Sequence, residues 1–259
     1  MKQGTILLCV LVVLSAMGIA TAAEGDLGID LDTTWVSKYI WRGFDLYGDK
    51  GAIQPSVNFN LYDTGFSFNV WSSYCTSSGY VDGTEYDYTV AYANSFNAGD
   101  TWQTDYAVSY VYYDFPDAPS TAADGQEFNA SVAFPNACPA GIVPSYTLIK
   151  FWPAKSDSDI SDAGGWIHYM RLDYPVAFPG IFENNPEQVI NFSWDITYND
   201  GAAGNDIDSD WSHTVFGAST AIEMPVGTLS PGIYYQISME DTVNTEDELW
   251  TGVSYSLSF

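Results

Sequence analysis

The chain of 259 residues carries 33 acidic residues against seven basic ones, a net charge of −26, which excludes nucleic acid and anionic lipid surfaces as electrostatic partners. Charged residues make up only 15% of it, while aromatics reach 16% with 19 tyrosines. Soluble domains usually carry about 25% charged residues, so the composition points to a lipid-facing barrel or a secreted β-sandwich.

The N-terminus opens with Met1-Lys2-Gln3, runs on without charge from Ile6 to Ala20, and reaches the small-x-small sequence Ala20-Thr21-Ala22. This pattern predicts a secretory signal peptide over residues 1–22, cut after Ala22 or Ala23. The apolar run, about 15 residues, is short of the roughly 20 that span a bilayer as a helix. Cys9 follows Leu8 rather than a small residue, so lipidation is not expected. Without the leader, six basic residues face 33 acidic ones, and residues 23–259 are expected to form one large all-β domain, though the length would also suit two small ones.

Period-2 alternation dominates that domain. Ile53, Pro55, Val57, Phe59 and Leu61 share one face against Gln54, Ser56, Asn58 and Asn60. Tyr86, Tyr88, Val90 and Tyr92 oppose Glu85, Asp87, Thr89 and Ala91. Similar runs predict strands near 28–41, 52–62, 65–75, 84–94, 102–113, 126–134, 142–152, 165–174, 188–199, 212–224, 227–239 and 248–259. Most are 9–13 residues long. A tilted membrane strand needs about 9–11 residues, whereas ordinary strands are commonest at about five or six.

The two faces differ in kind. One is rich in Tyr, Phe, Trp, Val and Leu; the other carries small polar residues and acids with few Lys or Arg, which suits a wet lumen better than a soluble surface. Even-numbered connections are mostly tight, such as Asp63-Thr64-Gly65 and Pro225-Val226. Odd ones are longer and acidic, such as Asp114–Gly125 and Asp200–Trp211. Pro175–Glu187 is the exception, an inner turn of unusual length. The expected fold is a closed antiparallel up-and-down transmembrane β-barrel of about twelve strands, strand 12 pairing with strand 1, because lipid offers no partner to an open edge.

Ser37–Phe59 then reads as the top of strand 1, the first outer loop near Phe44–Gly51, and strand 2. Trp35, Tyr39 and Trp41 are expected in an outer aromatic girdle. The stretch S-K-Y-I-W-R-G-F, followed by G-A-I-Q, resembles the N-terminal signature of the TorF-like (Gcw-chp) family of bacterial outer-membrane porins. Lys38 departs from the Asp usual in that family, and Pro55-Ser56 replaces small glycine-like residues. The matched stretch covers about a tenth of the chain. The resemblance implies an outer-membrane barrel and a pore without a settled substrate. Gly252, Tyr255, Leu257 and Phe259 in turn resemble the C-terminal signal by which outer-membrane barrels reach their assembly machinery.

Candidate chemistry is sparse. The chain has two histidines, His168 and His213. Ser212 precedes His213, but neighbours on a strand face opposite sides, so no hydrolytic constellation is expected. Asp157, Asp159 and Asp162, and likewise Asp206, Asp208 and Asp210, read as solvated loop acids. No metal and no cofactor is expected. Cys75 and Cys138 fall at opposite ends of the barrel, about 25 Å or more apart, and are expected to be free.

Alternation assigns Asp30, Asp32, Lys38, Arg42, Glu85, Asp87, Asp105, Glu127, Arg171, Asp173, Asp195 and Glu223 to the lumen, nine acids against three bases. The expected function is a porin of the bacterial outer membrane, passing small cations or neutral solutes by passive diffusion. The alternatives are a closed barrel acting as surface receptor or structural protein through its acidic loops, with Arg42 and Arg171 paired to acids across a plugged lumen, and, less favoured, a lipid hydrolase. The expected partners are outer-membrane lipid, the assembly machinery and small solutes.

Overall fold

The computed structural model describes residues 27–77, 83–182 and 185–259, so the expected leader lies outside the described residues. Twelve long strands build the wall: β1 (Gly28–Val36), β2 (Ala52–Asn60), β3 (Phe66–Cys75), β4 (Glu85–Phe96), β5 (Thr104–Asp114), β6 (Gly125–Ala133), β7 (Val143–Pro153), β8 (Gly165–Phe182), β9 (Asn185–Asp200), β10 (Ser209–Thr220), β11 (Thr228–Ser238) and β12 (Glu248–Ser258). Each pairs antiparallel with the next. The sheet closes between β12 and β1, from Asp30↔Ser258 to Val36↔Gly252. Closure gives β1 and β12 partners on both sides, which lipid would not.

The alternation sorts as expected. Trp35, Ile53, Phe66, Val90, Phe128, Phe216, Ile233 and Tyr255 stand exposed on the outer surface. So large an apolar face on a monomer marks a lipid-facing belt. Lys150 also faces outward, its ammonium 5.1 Å from the centre of the Trp166 ring, while its stem lies along apolar surface. His168 shares that face; its Nδ1 lies 2.7 Å from the Tyr146 hydroxyl. Cys75 and Cys138 are both free, as expected.

Three strand assignments need correction. β1 ends at Val36 rather than at residue 41, because the chain there turns into the barrel. β10 ends at Thr220, so Glu223 belongs to a two-residue rung, Ile222–Glu223, on the inner turn. The long inner turn is instead strand: β8 and β9 stay paired through Tyr174↔Phe192, Val176↔Ile190 and Phe178↔Gln188. Pro175 and Pro179 lie within this extension. They are tolerated because β7 stops pairing with β8 at Asp173, leaving that edge of β8 with no ladder for a proline to break.

Candidate functional site

Long outer connections fold into the barrel rather than away from it. The most informative is loop 1, residues 37–51. It leaves the wall where Ser37 N–H donates to Thr251 O at 2.8 Å, and Leu46 N–H donates to Tyr39 O at 3.0 Å. Ile40–Trp41 pairs with Phe44–Asp45 as a small hairpin inside the lumen. Its two turn residues, Arg42 (φ 48°) and Gly43 (φ 94°), both have positive φ, the requirement of a two-residue type I′ turn. A non-glycine residue held there costs about 1 kcal/mol or more.

What offsets that cost is the reach of Arg42. Its guanidinium is buried and grips Glu127 of β6 with a two-bond fork, Nη2 donating to Oε1 at 2.7 Å and Nη1 to Oε2. The Trp41 ring lies beside it, 4.7 Å from centroid to guanidinium carbon. Tyr113 on β5 donates to the same Glu127 carboxylate at 2.7 Å. Tyr39 donates to Glu85 on β4 at 2.8 Å. Asp87, two residues along that face, has a buried Oδ1 with no partner among the described residues.

Gly43 holds the opposite wall. A Cβ there would lie 2.6 Å from His213 Nδ1 and 2.8 Å from Val243 Cγ1. Its carbonyl accepts from Gln236 Nε2 at 2.9 Å and Asn244 Nδ2 at 3.1 Å. Loop 1 therefore crosses the lumen from β1 to contacts on β6, β10 and β11. Gly51 closes it, its Cα so near the wall that a Cβ would meet Val36 O at 2.6 Å. The Tyr, Arg-Gly and second Gly of the sequence signature thus have structural work: a phenol anchor, a turn with a charged tip, and a close crossing.

Other loops finish the seal. Phe115, Ile160, Ala163, Ala202 and Ala203 pack over Val111, Tyr113, Ile149, Phe151 and Ile167. Inward residues near the outer ends of β2 to β12, among them Ala52, Ser73, Glu85, Tyr113, Glu127, Ile149, Ile167, Thr197, Ser212, Gln236 and Glu248, are at most 5% exposed. The inner half is different. Asp30, Asp32, Ser56, Asn60, Ser109, Ser131, Ser219, Ser230 and Ser256 are half-buried there, while Asn58, Asn69 and Ala107 between them are buried. A Cβ on Gly232 would meet the Tyr234 hydroxyl at 2.5 Å, and one on Gly217 the Tyr234 ring at 2.8 Å, so two glycines let this ring lie flat on the wall.

Besides Asp30 and Asp32 of the inner half, the candidate lumen residues fall into four groups. Arg42 and Glu127 meet directly, with Glu85 and Asp87 on the neighbouring wall. Arg171 pairs with Asp173 through Nε and Nη2, both at 2.8 Å, and approaches Asp195 at 3.5 Å. Lys38 stands at the outer mouth between Asp49 and Glu248, 2.6 Å from the latter. These bonds, Asp49 first, raise the Lys38 ammonium above its ordinary range, and Lys38 holds Asp49 below its own. Asp105 and Glu223 lie at the inner rim: Asp105 accepts from Ser95 at 2.6 Å, and Glu223, exposed, accepts from Thr228 at 3.2 Å.

The girdle assignment holds only for Trp35, which is exposed. Tyr39 and Trp41 are inside, Trp41 edge-on to Tyr113 with ring centroids 5.8 Å apart. The opposite-face argument for Ser212 and His213 also fails. A bulge between Thr197 and Tyr198 pairings turns both inward, with Ser212 Oγ 2.9 Å from His213 Nδ1. Both are buried under loop 1, and no carboxylate bonds the imidazole among the described residues. Asp45, Asp49 and Glu248 also gather, their oxygens within 4.8 Å of one another, but the Lys38 ammonium already sits against two of them.

Comparison with known proteins adds a family and a fold. The profile of a family described as a bacterial protein of unknown function, Gcw_chp, matches residues 20–245. No curated protein matches the chain. Among solved structures, the NanC porin is 9% identical with a TM-score of 0.53, over 88% of this chain and 98% of that one. An outer-membrane channel from Pseudomonas putida F1, of the group COG4313, is 10% identical with a TM-score of 0.52, over 93% and 100%. At such identity the likeness speaks for the fold alone.

Proposed function

The chain belongs to the bacterial Gcw_chp family, and we propose that it is an outer-membrane channel for passive diffusion of small solutes, constricted at its outer half by loop 1. The observation that carries this reading is the asymmetric lumen. A barrel built only to be a stable anchor has no need of an inner half lined by half-buried Ser and Asp. The lipid-facing belt, the closed ladder and the fold shared with two channel proteins support it. A signal peptide over residues 1–22 and an assembly signal at Gly252, Tyr255, Leu257 and Phe259 fit export and insertion by the barrel assembly machinery.

Ion preference follows from charge. Both inward arginines are paired with carboxylates, and Asp30 and Asp32 of the inner half have no base beside them among the described residues. The uncompensated field favours cations and neutral solutes over anions. Hydrolysis is not the function: a nucleophile must be reached by its substrate, and Ser212 is 1% exposed.

The test is single-channel conductance of the refolded barrel in a planar bilayer under a potassium chloride gradient. Wild type should pass a small steady current with a cation-side reversal potential. Replacing loop 1 between Lys38 and Lys50 by a short Gly-Ser linker should enlarge that current severalfold. If neither protein conducts while its β-structure is intact, the channel is overturned. The packed outer half would then favour the second reading, a closed barrel that presents acidic loops.

A further inference from the structure

The seat of Arg42 belongs to the wall, and its occupant belongs to a loop. Glu127, Tyr113, Glu85 and Asp87 come from β4, β5 and β6 and stay in place whatever loop 1 does. They offer a carboxylate with both oxygens turned to one planar fork, a phenol that fixes that carboxylate, and two further acids on the adjoining strand face. Beside the Glu127 carboxylate that Arg42 grips stand two more carboxyl groups, of which Glu85 accepts from Tyr39 and Asp87 keeps Oδ1 unpartnered. The seat holds more acid groups than its tenant bonds.

We propose that this seat is a binding site for small solutes bearing a guanidinium group, and that Arg42 is a built-in stand-in which such a solute displaces as it passes. The inference rests on the channel reading and names its solute class. Guanidinium is favoured over a simple ammonium because the fork needs two parallel N–H donors in one plane, which Nη1 and Nη2 of Arg42 supply. Exchange is feasible because a buried ion pair recovers little more than its own desolvation cost, so the closed state is not locked by this contact. A solute that supplies an equivalent cation leaves the wall satisfied and the loop free.

Two readouts separate this claim from the channel itself. The first is the thermal transition of the detergent-solubilised barrel. Arg42→Ala should lower it, and millimolar methylguanidinium should restore part of the loss. Tetramethylammonium should not, and neither cation should act on the double variant Arg42→Ala, Glu127→Gln. The second is potassium current in a planar bilayer. Arg42→Ala should conduct more than wild type, and methylguanidinium should block about half that current at millimolar concentration. Absence of rescue overturns the site whether or not the protein conducts. Rescue with an unblocked current overturns the solute assignment and leaves the channel. Rescue without any current in any variant keeps the seat and removes the channel. Should Arg42→Ala fail to insert, Arg42→Lys keeps the charge without the fork and should show the same rescue at smaller amplitude.

Discussion

On β6, Glu127 is fully buried and ion-paired, while Ser131, two inward positions further along, is half-buried. The same contrast holds on β11, between fully buried Gln236 and half-buried Ser230. Both halves obey one alternation of polar inside and apolar outside. The difference lies in what fills them. Outer loops bring Tyr39, Trp41, Arg42 and Tyr47 inside, and water is excluded. Each charge trapped there then needs a partner, since an unpaired buried charge costs several kcal/mol. In the inner half small polar residues predominate and bond largely to one another, as Asn58 and Asn60 do with each other and with Asp30.

The largest break in that contrast should come from Arg42→Ala, which leaves Glu127 buried with only the Tyr113 hydroxyl. Unfolding in denaturant should register a loss of about 3 kcal/mol, and Arg42→Ala with Glu127→Gln a smaller one, because the orphaned charge is gone. A loss below about 1 kcal/mol for the single variant would mean that the pair does not organise the outer half.

Next in size is Gly43→Ala. The φ of 94° is strained for any side chain, and the added methyl would strike His213 Nδ1 and Val243. A cost of about 1–3 kcal/mol is expected, with increased conductance as the loop tip withdraws. Adding His213→Ala should recover part of the effect by removing the contact and leaving the φ. Equal stability of Gly43→Ala and wild type would show that the tip is not wedged between walls.

The inner half should tolerate what the outer half does not. Asp30 is half-buried and accepts from Asn60 at 2.8 Å. Asp30→Asn should change stability by no more than about 0.5 kcal/mol. It should move the reversal potential toward zero, more so when Asp32→Asn is added. An unchanged reversal potential in that pair would place ion selection elsewhere.

How far these halves could be foreseen differs. Strand number, closure between β12 and β1, and free Cys75 and Cys138 all follow from period 2 and from loop lengths. The plug does not. Trp35, Tyr39 and Trp41 keep the two-residue spacing of a girdle, and nothing in that spacing says that the wall ends at Val36. The available signal was Ile40-Trp41-Arg42-Gly43-Phe44: apolar pairs around a two-residue turn ending in Gly, which is hairpin chemistry. Arg42 at a left-handed position weakens that signal, because Asn or Asp is the usual partner of Gly there. Likewise, one extra residue in a bulge inverted the argument about Ser212 and His213, since a single slip exchanges faces. Pro175 and Pro179 hid the extension of β8, because a proline is forbidden only where a neighbour needs its N–H.

The smallest effect belongs at the outer mouth, where Lys38 joins an exposed Asp49 to a buried Glu248. Lys38 is raised by its bond to Asp49 and then by that to Glu248, so its contribution is complete below about pH 10 and fades only in stronger alkali. Asp49 is lowered by Lys38, so its contribution is present above about pH 4 and fades on acidification. Between those limits neither group changes its charge. Thermal stability and conductance should therefore stay flat from about pH 5 to about pH 9 as far as this pair decides them. Asp49→Asn should leave the unfolding midpoint unmoved at neutral pH, because an exposed pair is screened and its side chains give up entropy to meet. If Asp49→Asn instead destabilised the barrel as much as Gly43→Ala, the mouth would be part of the packed plug, and the boundary between solvated rim and sealed lumen would have to move outward past Lys38.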